Sequence, residues 1–593
     1  MFIVDGTKTT LVDSLSEQAK LLREKIIQVV SKNGGHLGAS LGATDIILAL
    51  HQVFDSPNDK IIFDTGHQAY AHKLLTDRKD QFETLRTYRG LSGFTDPLES
   101  EHDHFFAGHA GTALSLAMGV HDSLKQKDQA HWTIAMIGDA SLSCGLTLEG
   151  LNNINSSHKR LIIILNDNGM SISKGCGNFH HYLDEIKNFP FDSLQETFHN
   201  IFSIFQLKYI GPVNGHDPEA MVNLFEKIKR GDGPFLIHIK TVKGYGLAYA
   251  ESSPTLWHGP KPFCIESGKF KQTTSNLIPF PKLFGKELLV LAKTNLELVV
   301  LTPATATGAC LEPFSQIYPE RFYDVGIAEG HAVTYSAGLS RFQKKQVILS
   351  IYATFLQRAL DNLFHDIVLQ QVPVLIAIDR AGISPQDGST HHGIYDIGFL
   401  KAMPGLIVAQ PRNGQVLQEV LHSYKKYEAP VVIRYPNLET TPGENPLKYR
   451  QPGCGELLIQ TSAQEKKILL VPLGHMVENA FKVRDYLIDK GLDASIFDPV
   501  FIKPLDKEQL LKLLDEHDAI FIIEEHSREN GLGSIIASLL LENQVRHKRF
   551  HIFGVPDYFV AHGTYQELME EIGLTPHKIA NCILKMMSAL PQL

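Results

Sequence analysis

Between residues 134 and 170 the chain reads IAMIGDASLSCGLTLEGLNNINSSHKRLIIILNDNGM. An apolar run closes on Gly138-Asp139, a stretch of helical period follows, and a second apolar run closes on Asn166-Asp167-Asn168. The carboxylate of Asp139 and the amide oxygen of Asn168 are hard donors, and Mg²⁺ fills its octahedron with such groups, phosphate oxygens and water. A helix starting after Asp139 points its free N–H groups at the same place, so the chemistry on offer is the holding of a magnesium diphosphate. A Gly-Asp turn alone usually does no more than connect two elements. Here the Asn152-Asn153 pair and the second strand end follow it at a set spacing, which makes the constellation specific.

Those residues need a scaffold, and the pattern around them supplies one. Short runs rich in Val and Ile recur at Thr133 to Ile137, Leu161 to Leu165, Leu298 to Leu301, Val374 to Ile378, Ile468 to Val471 and Ala519 to Ile523. Continuous apolar runs of this length between segments of helical period are the mark of parallel strands covered on both faces. The expected class is α/β, each domain a mostly parallel sheet flanked by helices. Val477 to Ile488 reads as one such helix, with Val477, Ala480, Phe481, Leu487 and Ile488 expected on the face that docks on a sheet. Two polar stretches with Pro and Gly, near Glu266 to Lys282 and Pro436 to Gly455, lack periodicity and divide the chain into three blocks.

With 593 residues, several domains are required, each able to bury its own core. The formal net charge of −9 gives no footprint for nucleic acid, though local basic pockets for small anions remain compatible with it. The longest apolar runs fall far short of the roughly 20 residues needed to cross a bilayer. The opening MFIVDGTKTTLVDS has no basic cluster ahead of an apolar stretch, so no secretory signal is expected and the cytoplasm is the expected compartment. Cys144, Cys176, Cys264, Cys310, Cys454 and Cys582 form no C-x-x-C pair, which argues against a disulfide framework and a structural zinc site.

The Gly138 to Asn168 constellation follows the thiamine diphosphate fingerprint, and further motifs run along the chain. They are Asn33-Gly34-Gly35-His36, Gly66-His67-Gln68-Ala69-Tyr70, Glu99-Ser100-Glu101-His102-Asp103, Asp324 to Val333 (DVGIAEGHAV), Tyr352 to Arg358 (YATFLQR) and Asp379 to Gly393 (DRAGISPQDGSTHHG). With these the chain resembles the 1-deoxy-D-xylulose-5-phosphate synthase family of the transketolase superfamily over essentially its whole length. The resemblance implies a diphosphate-binding domain over 1–270, a pyrimidine-binding domain over 280–437 and a transketolase C-terminal domain over 455–593. It implies thiamine diphosphate and Mg²⁺ as cofactors, a 2-oxo acid and an aldehyde phosphate as substrates, and a homodimer.

Residue by residue, the resemblance places Asp139, Asn168 and the main-chain carbonyl of Met170 on the metal. It places His67, Gly108, His109, Gly138, Ala140 and Lys243 with them around the cofactor. Glu329 matches the glutamate that shares a proton with N1′ of the aminopyrimidine, and Phe355 the aromatic that stacks on that ring. Outside these motifs their ordinary readings are a helix cap and a core aromatic. Of the 28 histidines, His36, His258 and His391 match the catalytic set, where a near-neutral pKa suits proton transfer. Tyr352, Arg358, Arg380, Asp387, His391 and Arg434 match the substrate channel. Arg380 and Arg434 each follow an apolar strand at its C-terminal end, where open α/β sheets bind ligands, and a planar guanidinium suits a phosphate. A lone arginine in such a place is otherwise a surface ion pair.

The chain also departs from the pattern. Ala140 stands for the second glycine of G-D-G, Gly108-His109-Ala110-Gly111-Thr112 for GHSST, and Gly330 for the usual Gln. Asp96-Pro97-Leu98 replaces a basic residue ahead of Glu99, and the Ser173 to Gly211 segment is short. The reaction implied is condensation of pyruvate with D-glyceraldehyde 3-phosphate, with loss of CO₂, to 1-deoxy-D-xylulose 5-phosphate. Two other readings stay open: a transketolase-like carboligase with another donor, and a non-catalytic paralogue that keeps the fold for binding.

Overall fold

The computed structural model describes residues 14–124, 131–172, 174–187, 201–270, 277–343, 346–463, 465–545 and 549–588. The start of the opening MFIVDGTKTTLVDS stretch, the middle of the first expected linker and much of the short 173–211 segment lie outside these residues. Two compact units divide the chain: Met1–Thr273 with Gly326–Ala328, and Thr274–Val325 with Glu329–Leu593. Among the described residues no helix is long and apolar enough to cross a membrane.

The first unit is built on five parallel strands: β1 (Lys60–Phe63), β2 (Thr133–Gly138), β3 (Leu161–Asp167), β4 (Lys208–Asn214) and β5 (Phe235–Lys240). Their order across the sheet is β1-β2-β3-β5-β4. Successive side chains of β2 and β3 point to opposite faces, and both faces are covered. Ile134, Met136, Ile162 and Ile164 enter one core, and Ala135, Ile137, Ile163 and Leu165 the other. Each Ile, Leu and Met side chain among them contributes about 1.5–3 kcal/mol by leaving water, which is why these strands carry unbroken apolar runs. The helix Leu15–Asn33 begins where the Ser14 hydroxyl accepts the Glu17 N–H and ends at Gly34. Gly34 takes φ +75° and Gly35 φ +143°, the left-handed turn that carries the chain to His36.

In the second unit β6 (Ile278–Pro279) is followed by β7 (Leu298–Thr302), β8 (Phe322–Asp324), β9 (Gln346–Tyr352), β10 (Val374–Asp379), β11 (Ile407–Ala409), β12 (Val431–Arg434) and β13 (Glu439–Thr440). Then come β14 (Glu456–Ile459), β15 (Ile468–Pro472), β16 (Ala494–Asp498), β17 (Phe501–Lys503), β18 (Ala519–Ser527) and β19 (Arg549–Val555). One sheet has the order β17-β11-β12-β10-β9-β7-β8 and another β14-β16-β15-β18-β19, while β13 and β6 pair as a short ribbon. Both large sheets are parallel except at one edge: β17 runs antiparallel to β11, and β14 to β16. The fold is α/β, as expected.

All six expected strands form, several reaching further toward their C-terminal ends. The expected helix forms as Met476–Ile488, but its buried stripe is Val477, Ala480, Val483 and Leu487. Phe481 and Ile488 are 37% and 45% exposed, so the docking face lies about one position round the helix from the expected one. The first expected linker gives way at its end to the helix Phe280–Thr294.

Candidate active site

In the first unit the C-terminal ends of β2 and β3 place Asp139 and Asn166 to Met170 side by side, as their register pairs Gly138 with Asn166. Asp139 is 7% exposed; burial and the neighbouring charge of Asp167 push its carboxyl up, against the pull of Lys187. Asp167 has its own partners: Nζ of Lys187 at 2.6 Å and Nε2 of His238 at 2.7 Å. Asn166 Oδ1 accepts the Thr241 hydroxyl at 2.6 Å, and its amide donates to Gln68 of the GHQAY motif at 3.3 Å. Asn168 Oδ1 accepts the Met170 N–H at 3.0 Å, which leaves that oxygen a second lone pair. Lys243, 4% exposed, donates to the Ser171 carbonyl, and burial brings its ammonium down to about 8 against the pull of Asp139.

Three imidazoles meet in the same unit. The rings of His36 and His67 lie 5.7 Å apart, His36 and His258 5.6 Å, and His67 and His258 5.6 Å. Burial, then the charges of Lys243, His36 and His67, hold His258 well below the usual imidazole range, so it is neutral. Its Nδ1 is enclosed with no hydrogen-bond partner. His36 is set by its main-chain N–H, which donates to the Tyr70 hydroxyl at 3.1 Å. A Cβ on Gly35 would come within 2.7 Å of that hydroxyl, so glycine is required there. Gly108 is buried and His109 half-buried on the loop leading into the helix Ala113–Leu124.

Asp64, one residue past β1, was not singled out from the sequence. It is 3% exposed, and its carboxylate accepts the N–H groups of Gly111 at 2.8 Å and Ala113 at 3.0 Å and the Ser141 hydroxyl at 2.5 Å. It ties the GHAGT loop to the turn after Asp139; a buried acid after a short strand was its only signal. Gly111 takes φ +86°, and a Cβ there would sit 2.8 Å from Cβ of Cys144. The absence of a serine at that position is thus matched by the cysteine packed against it. Gly330 is matched in the same way, since a Cβ on it would come within 2.8 Å of Asn362 Oδ1. Nothing in the structure compensates for the methyl group of Ala140.

Ahead of Glu99, Asp96 and Leu98 bring no cation. The cations near this motif are engaged: Lys73 pairs with Glu99, and Arg78 reaches Asp103 at 2.6 Å with His72 on the same carboxylate at 3.0 Å.

In the second unit Glu329 opens the helix Glu329–Gln343 and is 7% exposed. Burial raises its carboxyl above the usual range, with the nearby Arg358 charge opposing. Tyr352 ends β9, and its ring stacks on Phe355 at 5.4 Å and 17°; Phe355 in turn meets His391 edge-on at 5.8 Å. The Arg380 guanidinium lies 3.7 Å from the centre of the Tyr352 ring and 2.6 Å from Asp379 Oδ2. Asp387 acts electrostatically on both Arg380 and Tyr352. Tyr352, Phe355, Arg380, Asp387 and His391 therefore form one cluster.

Arg434 stands apart from that cluster, contrary to the reading that pairs it with Arg380. It is fully buried, with Nε and Nη2 on Asp396 at 2.6 and 2.7 Å, Nη1 on Gln410 and Nη2 on the Gly393 carbonyl at 3.2 Å. A guanidinium so occupied is a bracket for the 380–396 loop.

Comparison with known proteins bears on the whole chain. Residues 5–197 and 192–241 match the family model described as 1-deoxy-D-xylulose-5-phosphate synthase, 278–442 that of the transketolase pyrimidine binding domain, and 457–579 that of the transketolase C-terminal domain. The 1-deoxy-D-xylulose-5-phosphate synthase of Chlamydia abortus is 43% identical over 98% of this chain and 95% of its own length. Those of Chlamydia trachomatis serovar D and Chlamydia caviae are each 42% identical, over 97% and 96% of this chain and 94% and 93% of their own. With that identity along both chains, and the motif residues gathered into two polar clusters at the ends of parallel strands, the chain belongs to the 1-deoxy-D-xylulose-5-phosphate synthase family of thiamine diphosphate-dependent transketolase-type transferases.

Proposed function

We propose that this chain condenses pyruvate with D-glyceraldehyde 3-phosphate, releasing CO₂ and forming 1-deoxy-D-xylulose 5-phosphate, as a cytoplasmic homodimer using thiamine diphosphate and Mg²⁺. The observation that carries the reading is the meeting of His36, His67 and His258 in the unit that also holds Asp139 and Lys243. Asp139 fits a divalent ion: it is a buried carboxylate raised by burial and a like charge, and an ion bound there offsets both. Asn168 Oδ1 and the Met170 carbonyl complete the protein's share of the ligands, and Lys243 suits a phosphate oxygen.

When bound, thiamine diphosphate supplies the carbon nucleophile and electron sink that decarboxylation needs. The protein's part is positioning and proton traffic. Glu329, its carboxyl raised by burial, would hold a hydrogen bond to N1′ of the aminopyrimidine, and Phe355 would stack on that ring. In the first unit neutral His258 with His36, and in the second His391, are the imidazoles suited to donating or accepting a proton. Arg380, braced by Asp379 and Tyr352, holds the acceptor phosphate, with Arg358 and Asp387 lining its path.

The engaged state of Lys73 and Arg78 favours a second reading, a carboligase of the same type with a different donor. Product analysis with thiamine diphosphate, Mg²⁺ and a panel of 2-oxo acids and aldehyde phosphates separates the two. Stoichiometric CO₂ from pyruvate together with 1-deoxy-D-xylulose 5-phosphate is the expected result; carboligation without CO₂ from a ketose donor overturns it.

A further inference from the structure

The last turn of the helix Ala113–Leu124 and the turn that feeds β3 bring three metal-ligating side chains together, away from the residues discussed above. His121 and Asp122 are neighbours on the helix, with His121 Nδ1 3.1 Å from Asp122 Oδ1. His158 comes from the turn, its Nε2 3.7 Å from the same oxygen. The three ligand atoms all lie within 4.8 Å of one another, and the imidazole rings are 5.1 Å apart.

His158 is 2% exposed, and its Nε2 is buried with no hydrogen-bond partner. Its Nδ1 lies 3.1 Å from the Asn155 carbonyl and 3.2 Å from the Asn155 main-chain N–H, so it can donate to the first or accept from the second. With the proton on Nδ1 and donated to that carbonyl, the ring aims the Nε2 lone pair at a carboxylate oxygen. Two acceptors facing each other are unfavourable unless a cation lies between them. In the other tautomer Nδ1 accepts the Asn155 N–H, and the Nε2 proton is buried 3.7 Å from the carboxylate, too far for a hydrogen bond, so either form leaves Nε2 unsatisfied until an ion takes its place there. A carbonyl that fixes the far nitrogen is also the usual second partner of a metal-bound imidazole.

We propose that His121, Asp122 and His158 form a site for one divalent d-block ion of the Zn²⁺ or Co²⁺ class, separate from the Mg²⁺ diphosphate site. Bonds of about 2.0 Å in a tetrahedron set ligand atoms roughly 3.3 Å apart, a spacing bracketed by the two distances to Asp122. Two imidazoles and one carboxylate select such ions over Mg²⁺, whose preferred ligands are all oxygen. The Asp122 side chain is 57% exposed, so the ion has a path in and water can take the fourth position. The ion clips the end of this helix to the turn that precedes β3.

The test uses the full-length protein saturated with thiamine diphosphate and a large excess of Mg²⁺, titrated with Co²⁺. Tetrahedral Co²⁺ absorbs strongly in the visible and octahedral Co²⁺ weakly, so the first site is distinguishable from exchange at the second. One equivalent of intensely absorbing Co²⁺ per chain is expected, displaced by Zn²⁺. His158→Gln and Asp122→Asn should each weaken its binding at least about tenfold, with Mg²⁺-supported turnover retained. Asp122→Asn alters an exposed side chain, so its effect cannot be ascribed to misfolding. Absence of the band in the wild type, or its retention at full affinity in either variant, overturns the proposal.

Discussion

Arg380 follows β10 and Arg434 ends β12, and the same residue type at two adjacent strand ends meets different neighbours. Arg380 keeps a side chain 21% exposed over the Tyr352 ring, whereas Arg434 is enclosed by Asp396, Gln410 and the Gly393 carbonyl. Arg380→Ala removes a charge-assisted contact worth roughly 1.5–3 kcal/mol, so the KM for the aldehyde phosphate should rise on the order of tenfold to a hundredfold. The donor KM should barely change, and a non-phosphorylated aldehyde should react equally well with wild type and variant. Arg434→Ala should act on stability instead. It strands the buried Asp396 carboxylate at a cost of about 3–5 kcal/mol, read as a lower unfolding midpoint. A selective acceptor KM effect in Arg434→Ala without loss of stability would return it to the substrate channel. Glu329→Gln should leave the fold intact and lower turnover by orders of magnitude, because an amide cannot share a proton as a carboxylic acid does. Near wild-type C2–H exchange of bound cofactor in that variant would refute the role. The arginines and their strand ends were legible in the sequence. Their partners were not, because Gln410, 24 positions before Arg434, and Asp396, 38 before it, belong to elements that only the fold brings together.

At the scale of elements, the apolar runs marked every strand named in advance because strands buried on both faces leave no polar alternation. The far end of the Ala519 strand was missed for the same reason. The Glu524-Glu525-His526 run remains in a strand, yet polar residues end an apolar run on paper. That polar end is where the loops are tied. Glu525 accepts the Ile383 N–H, Glu524 those of Leu532 and Gly533, and His526 Nε2 that of Ile397 at 3.1 Å. His526 Nδ1 lies 3.0 Å from the Ser527 carbonyl, so the ring serves as acceptor and donor in its neutral form. Burial, then the Arg434 charge, lowers its pKa to about 3. The unfolded ring titrates near 6.5, so below that pH the unfolded chain binds a proton that the folded chain refuses. The contribution to stability is therefore whole above pH 6.5 and falls by about 1.4 kcal/mol per unit as the pH drops toward 3. His526→Gln should show a shallower decline in unfolding free energy between about pH 6.5 and 4; parallel slopes would mean that another group sets the dependence. Asp64 offers a second test at this scale. Asp64→Ala orphans two buried N–H groups at a cost of about 1–3 kcal/mol each, and should weaken thiamine diphosphate binding measured by calorimetry.

At the scale of the molecule, the three blocks set out by the two aperiodic stretches each have a sheet, but the last two share a unit. The link is β17, which leaves the C-terminal block to pair with β11 of the preceding one. No local pattern announces such a crossing, since Phe501 to Lys503 reads like any short strand. The division into units shapes the last prediction, which concerns the whole chain's dependence on its ions. Asp139 lies in the first unit with its carboxyl raised by burial and by Asp167, an arrangement short of positive charge. A diphosphate brought there alone adds negative charge to a carboxylate pair that Lys187, on Asp167, and Lys243, which feels Asp139, offset in part. Mg²⁺ reverses that balance, so cofactor and ion should bind together or not at all. Stabilisation by a ligand follows RT ln(1 + [L]/Kd), about 2.7 kcal/mol at a hundredfold excess over Kd. Thiamine diphosphate with Mg²⁺ should therefore raise the thermal unfolding midpoint, and thiamine diphosphate with excess chelator should leave it where the protein alone has it. Asp139→Asn should lose most of the shift, because an amide oxygen lacks the charge that holds the ion. Tight cofactor binding by calorimetry in excess chelator would sink the assignment of Asp139, Asn168 and Met170 to the metal and leave Lys243 as the diphosphate's principal cation.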